Sequence, residues 1–243
     1  VTFNYSLFSV EDGNGCLATS KTGSRNALVY RFPVPNAGPD NDVCGFGYRL
    51  AAVPSDGSGL WTFPAELLSA TPALPDTRIR IDSSFTEKSK TLKFYWEETN
   101  WTCVKKDSVL ITFFNDIDTI NAGRDTSIFS FDNLVKVDAY PLLTYEAGKW
   151  TNVSGFGTGD FENDAASSTY IRNISLGLNK FLWTVTNENS SGVAVCRKED
   201  EIIIDVSSPV IPEGLSPNGD LVNDSLCITG LDFINQVIDL TIL

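Results

Sequence analysis

Oxygen-donor residues crowd one stretch of the chain, where Asn218-Gly-Asp220 and Asn223-Asp224 lie close together. Carboxylate and carboxamide oxygens are what hard cations bind, so Asn218, Asp220 and Asp224 form a candidate metal site with calcium as the ion; no other cofactor is expected. The spacing is not that of an EF-hand loop. Turn geometry accounts for the same residues, because Asn and Asp side chains bond their own backbone and tolerate positive φ beside Gly219. Acidic pairs stand at Glu97-Glu98, Glu162/Asp164 and Glu199-Asp200-Glu201, and glycosidases work with two carboxylates. Adjacent acids on a strand face opposite ways, so these read as solvated surface. No catalytic residue is assigned, and the chain is not expected to be an enzyme.

Several chemistries are excluded outright. The chain has no His, which removes His-containing triads and His-ligated zinc. No C-x2-C pair is present for a cysteine zinc site. No G-x-S-x-G elbow, G-x-x-x-x-G-K phosphate loop or G-x-G-x-x-G helix start occurs, and Gly155-Phe-Gly-Thr-Gly159 reads as a flexible loop. With 18 Lys+Arg against 31 Asp+Glu the net charge is −13, which repels phosphate backbones and anionic lipid; nucleic acid is not an expected partner. No apolar run approaches the roughly 18–20 residues of a membrane helix, so direct membrane insertion is not expected. There is no Met, and Val1 begins no signal-peptide pattern. The expectation is an internal fragment of a longer protein whose export is encoded elsewhere.

The elements that would position such residues are strands. Thr77–Asp82, Leu92–Glu97, Phe181–Val185 and Ile202–Val206 place apolar residues at every second position, the mark of a sheet with one buried face. Turn-forming clusters, as at Pro54–Gly59 and Asn187–Gly192, interrupt them at the spacing of an all-β sandwich. The chain also repeats itself. Asn36-Ala-Gly-Pro-Asp40 returns as Asn121-Ala-Gly-Arg-Asp125, and Gly59-Leu-Trp61-Thr62 as Gly148-Lys-Trp150-Thr151. Leu92-x-Phe94-x-Trp96 is matched to Phe181-x-Trp183-x-Val185, and Cys103-x3-Asp107-x-Val109-x-Ile111 to Cys196-x3-Asp200-x-Ile202-x-Ile204. The expected fold is all-β: tandem immunoglobulin-like sandwiches at 34–118 and 119–207, preceded by the end of another copy at 1–33 and followed by the start of a further β-sandwich at 208–243. In the front fragment, Phe3–Phe8 reads as a penultimate strand and Ala27–Phe32 as a last strand, with Cys16 standing where Cys103 and Cys196 stand.

Five cysteines are present. Cys44 lies on an early strand of the first full repeat and Cys103 precedes its last strand, so a Cys44–Cys103 bridge would tie the ends of one sandwich together, worth about 4 kcal/mol in the chain-entropy model. Phe129 matches Cys44 in the second repeat, which leaves Cys196 without a partner in its own domain. The alternative is five buried thiols. Of the five tryptophans, Trp61, Trp96, Trp150 and Trp183 recur between repeats and read as core. Trp101 falls in a hairpin loop and is the candidate for a surface contact.

Beyond Val206 the repeat stops. Ile211-Pro-Glu-Gly-Leu-Ser-Pro-Asn-Gly-Asp-Leu-Val-Asn-Asp224 resembles the start of the gliding-motility-associated C-terminal domain of Bacteroidetes surface proteins, with Leu221 at a usual glycine and Leu243 falling where that family would continue. The upstream repeats resemble the Ig-like or PKD-like modules that precede that domain. The resemblance implies the C-terminal stalk and export signal of a large adhesin-like or gliding-associated protein, carried across the outer membrane by the type IX secretion system to the cell surface or medium. Its implied partners are the outer-membrane translocon with its cargo-shuttle protein, and the rest of its own longer chain. Ile211, Pro212, Leu215, Pro217, Asn218, Leu240 and Ile242 are the expected partner-binding residues, because residues 208–243 offer apolar surface that further strands must cover. The Bacteroidetes O-glycosylation pattern, Asp followed by Ser/Thr and an apolar residue, falls at Ser108, Thr119 and Ser225. Sequons such as Asn100-x-Thr102 are read as chance. Two alternatives remain open: accessory modules of a secreted enzyme whose catalytic domain lies upstream, or a carbohydrate-binding module.

Overall fold

The computed structural model describes residues 2–20, 23–65, 67–82, 85–129 and 134–208, with positions 210, 214, 216, 219, 220 and 225. Among them every regular element is a β-strand, as the period-2 alternation requires. The chain divides into two units, Val1–Phe114 and Asn115–Leu243.

The first unit opens with an antiparallel pair, β1 (Thr2–Ser6) and β2 (Ser24–Leu28), in which Thr2 faces Leu28. The expected last strand at Ala27–Phe32 therefore begins earlier than the sequence pattern places it. Seven strands follow: β3 (Asn41–Cys44), β4 (Gly47–Arg49), β5 (Ser58–Thr62), β6 (Leu67–Ser69), β7 (Arg78–Ile81), β8 (Ser89–Asn100) and β9 (Cys103–Phe114). They form one sheet in the order β3-β9-β8-β5 and another in the order β4-β7-β6. All pairings are antiparallel except β3 with β9, which run parallel.

The second unit repeats this arrangement with β10 (Thr126–Phe129), β11 (Leu134–Asp138), β12 (Ala147–Asn152), β13 (Asp160–Phe161), β14 (Ser168–Arg172), β15 (Gly177–Glu188) and β16 (Ala194–Ser207). Its sheets run β10-β16-β15-β12 and β11-β14-β13, again with the first strand parallel to the last. Each unit is an immunoglobulin-like sandwich of a four-stranded and a three-stranded sheet.

Alternating residues of both sheets make each core. In the first unit Ile79 and Ile81 meet Trp61, Phe94, Trp96, Ile111 and Phe113, all at most 2% exposed. Each such side chain contributes roughly 1.5–3 kcal/mol relative to exposure. Trp61 faces Trp96 across β5 and β8, and Trp150 faces Trp183 across β12 and β15. This register corrects one repeat match: Trp96 is equivalent to Trp183 and Phe94 to Phe181, two residues away from the alignment by pattern. A two-residue slip keeps every side chain on its own face, so alternation cannot detect it.

The Cys44–Cys103 bridge is also corrected. Cys44 and Cys196 are disulfide-bonded, whereas Cys103 is a free, half-buried thiol and Cys16 a free, exposed one. Cys44 ends β3 opposite Phe114, the last residue of β9, while Cys103 is the first. At about 3.3 Å per residue the two positions stand roughly 36 Å apart along that strand, far beyond the ~7 Å limit between Cα atoms of a disulfide.

Candidate functional site

The repeated motifs converge on one small structure, built twice. In the first unit Asn36 Oδ1 accepts the Gly38 amide at 2.9 Å, Asp107 Oδ2 accepts the Ala37 amide at 2.9 Å, and Asp40 Oδ1 accepts the Leu110 amide at 2.7 Å. In the second, Asn121 Oδ1 takes Gly123, Asp200 Oδ2 takes Ala122 and Asp125 Oδ1 takes Ile203, at 2.7, 2.8 and 2.8 Å. The Asn side chain closes an Asx turn. The last-strand Asp seizes a buried amide, and the Asp at the end of the motif ties the incoming chain to the last strand. Glycine is required at the centre, because Gly38 has φ of +88° and a Cβ there would lie 2.8 Å from the Ala51 carbonyl oxygen. The repeated Asn and Asp side chains therefore hold the parallel first strand in place.

The acidic clusters are consumed in the same way. Glu97 is exposed, but Glu98 is 1% exposed, which corrects its reading as solvated surface. Its carboxylate accepts the Ser55 amide at 3.0 and 3.2 Å, the Ser55 hydroxyl, and Trp96 Nε1 at 2.8 Å. Donors from the 54–59 loop, distant in sequence, make that burial tolerable. Val185 takes the place of Glu98 in the second unit, and there Trp183 Nε1 is buried without a hydrogen-bond partner. Glu162 pairs with Arg172, Asp164 with Lys149 at 3.5 Å, and Glu201 with Lys180 at 2.8 Å. Glu199 pairs with Arg197, whose hydrogen bond holds that carboxyl below its ordinary value. Glu199 and Glu201 share the exposed face of β16, each held by its own cation.

The Gly155–Gly159 segment, expected to be a flexible loop, is pinned. Gly157 donates to the Leu178 carbonyl at 3.1 Å, Asn152 bonds Gly159 in both directions, and a Cβ on Gly157 would lie 2.0 Å from Asn179 Oδ1.

Trp61, Trp96, Trp150 and Trp183 are core, each at most 2% exposed. Trp101 is 71% exposed at the tip between β8 and β9. It adopts φ of +59°, uncommon for a bulky side chain, and its ring stacks on Tyr30 at 5.5 Å with the planes 6° apart.

Of the proposed calcium ligands, Asp220 is exposed, and Gly219 beside it has φ of +83°, the conformation of a turn. Asn218 and Asp224 lie outside the described residues, as do Ile211, Pro212, Leu215, Pro217, Leu240 and Ile242. Among the modification candidates, Thr119 and Ser225 are exposed outside strands. Ser108 is half-buried within β9 opposite Tyr95, and the Asp107 of its triplet is committed to Ala37.

No protein-family model matches the chain, and no curated protein does. Among solved structures it is similar to extracellular domains 3–5 of Drosophila OTK, at 12% identity over 79% of this chain and 69% of that one, with a TM-score of 0.44. It is similar to the PKD domain of human KIAA0319 at 23% identity over 40% and 85%, TM-score 0.30. It is similar also to the N-terminal eight Ig domains of the Down Syndrome Cell Adhesion Molecule at 10% identity over 84% and 27%, TM-score 0.39. At these scores the functional reading rests on the chain's own residues.

Proposed function

We propose that the chain is a non-catalytic part of a secreted or cell-surface protein: tandem β-sandwich stalk modules of an adhesin-like or gliding-associated cargo of the type IX secretion system, with residues from 208 opening its export signal. The observation that carries the stalk reading is the duplicated seven-stranded unit, whose shared polar motifs are spent on holding the fold. Disulfide bonding of Cys44 and of Cys196 accords with an oxidising, extracellular setting. The Ile211–Asp224 motif is what supports the export route.

The test is to express the protein, epitope-tagged in an exposed loop, in a type IX-competent gliding bacterium and in its translocon-deleted counterpart. Surface exposure is read by protease accessibility on intact cells. Exposure in the first strain alone, abolished when residues 208–243 are replaced by a flexible linker, is expected. Exposure that ignores both the translocon and residues 208–243 would overturn the export route while leaving the module reading in place.

A further inference from the structure

The outer face of the three-stranded sheet in the first unit carries an arrangement that the fold does not need. On β4 and β7, Arg49 stands directly opposite Arg78, and Gly47 opposite Arg80. Alternation sends Arg49, Arg78 and Arg80 to the exposed face while Tyr48 and Ile79 turn toward the core. Cations facing each other across a strand pair destabilise it. Arg49 is partly offset by an ion pair with Asp76, whereas Arg78 and Arg80 make no ion pair with a described carboxylate. The missing side chain at Gly47 leaves an open cleft of about 470 Å³ between these residues.

The second unit supplies an internal comparison. At the equivalent positions Lys136 faces Tyr170 and Leu134 faces Arg172. Lys136 is neutralised by Asp138 at 2.9 Å and Arg172 by Glu162. In the first unit Ala51 replaces Asp138, and β6 carries no acid that could play the part of Glu162. One copy of the face is self-neutralised and filled; the other concentrates three guanidinium groups around a gap. The wider charge follows the same division, with 11 Lys+Arg against 12 Asp+Glu in residues 1–114, and 7 against 19 in residues 115–243.

We propose that the outer β4–β7 face of the first unit binds sulfate or carboxylate groups of an acidic polysaccharide. The guanidinium fork matches the paired oxygens of these groups, and unlike Lys it does so bidentately. Arg78 and Arg80 lie two residues apart on one face, about 7 Å, with Arg49 beside them, so the site spans one or two anionic groups rather than a long track. A nucleic acid, with a phosphate at every residue, needs many cations in line, and a chain of net charge −13 repels it. A polysaccharide whose charges are separated by neutral sugars meets the three arginines with less repulsion elsewhere. The choice of a glycan rests on the surface-module reading; the anion site does not.

The whole chain is titrated calorimetrically at low salt with a κ-carrageenan octasaccharide, a hyaluronan hexasaccharide, neutral dextran, inorganic sulfate and single-stranded DNA, the first two carrying one anionic group per disaccharide. The expected result is binding of the sulfated or carboxylated oligosaccharide that weakens with salt, with none for dextran. Arg78→Gln/Arg80→Gln should weaken it at least about tenfold. Gly47→Leu, which reproduces Leu134 and brings its Cβ no nearer than 3.9 Å to the Ile79 carbonyl oxygen, should do the same by filling the cleft. Lys105→Gln/Lys106→Gln should leave binding unchanged. Arg78→Gln should melt no lower than the wild type, which separates lost binding from lost folding. Absence of binding by either acidic oligosaccharide, or affinity indifferent to Arg78, Arg80 and Gly47, overturns the site. DNA bound as tightly with the same arginine dependence, or inorganic sulfate bound as well as the octasaccharide, overturns the glycan. Neither outcome bears on the protease-accessibility experiment, so the two readings fail separately.

Discussion

Replacing Asp107 by Ala, and separately Asp200 by Ala, asks whether the shared motifs are structural clamps. Asp107 Oδ2 is 2.9 Å from the Ala37 amide and Asp200 Oδ2 is 2.8 Å from the Ala122 amide. Ala37 is 1% exposed and Ala122 is fully buried, so water cannot take over the lost acceptor. A buried donor left without a partner costs about 1–3 kcal/mol, and the ionised acceptor puts this case near about 2 kcal/mol. For units of this size each kcal/mol moves the melting temperature by roughly 4 °C, so the affected unit should melt about 8 °C lower. Hydrogen exchange followed by mass spectrometry reads the two units apart, through peptides of β8–β9 and of β15–β16. D107A should loosen only the first and D200A only the second, by similar amounts. D107N, which keeps a carbonyl oxygen at the site, should lose less than half as much. A change below about 0.5 kcal/mol in either unit, or one that lands in the other unit, would refute the clamp.

Glycines against the tryptophan pairs should be equally intolerant: a Cβ at Gly59 would lie 1.9 Å from Trp96 Cζ2, and one at Gly148 2.2 Å from Trp183 Cη2. Gly59→Ala and Gly148→Ala should each cost about 1–3 kcal/mol or more in urea unfolding, and a neutral result would show that the rings yield without strain. Alkylation of the unreduced protein should label Cys16 and Cys103 and spare Cys44 and Cys196 until a reductant is added; mass-mapped protection of Cys103 would contradict the register of β3 on β9. Hydrogen bonds from Ser168 and Lys136 hold the Asp138 carboxyl below its ordinary value, and the Arg197 hydrogen bond does the same for Glu199. The stability these acids contribute is present above their ordinary values and lost as pH falls through the lowered ones. Asp138→Asn/Glu199→Gln should therefore flatten the acid-side loss measured from about pH 5 downward, and an unchanged slope would remove both pairs from the account.

Much of this architecture was legible in the residues. Strict alternation at Arg78–Ile81 and along β15 allows only a strand with one buried face, and the recurrence of Asn-Ala-Gly-x-Asp with Cys-x3-Asp marked the duplication before any coordinate. The four core tryptophans were legible too, because Trp61 and Trp150 repeat in register and Trp96 and Trp183 each fall on the apolar face of an alternating strand. What the motifs were for was not legible. Asp107 and Asp200 find their amide partners some 70 and 78 residues away, a distance over which local pattern carries no information.

The tertiary structure alone decided the matters that depend on which residues face each other. Alternation has a period of two, so it assigns a side chain to a face but not to a partner; hence the two-residue misalignment of Phe94 and Trp96, and hence a disulfide drawn from the start of β9 to a β3 residue that pairs with its far end. Burial of Glu98 depended on donors from another loop, which no count of charges in its own strand could reveal. The opposition of Arg49 to Arg78 is likewise a fact of register between strands separated by nearly thirty residues. Sequence specified the faces, through local sterics and hydrophobic period; only the packed sheets specified the neighbours, because cross-strand pairing is set by the whole sandwich.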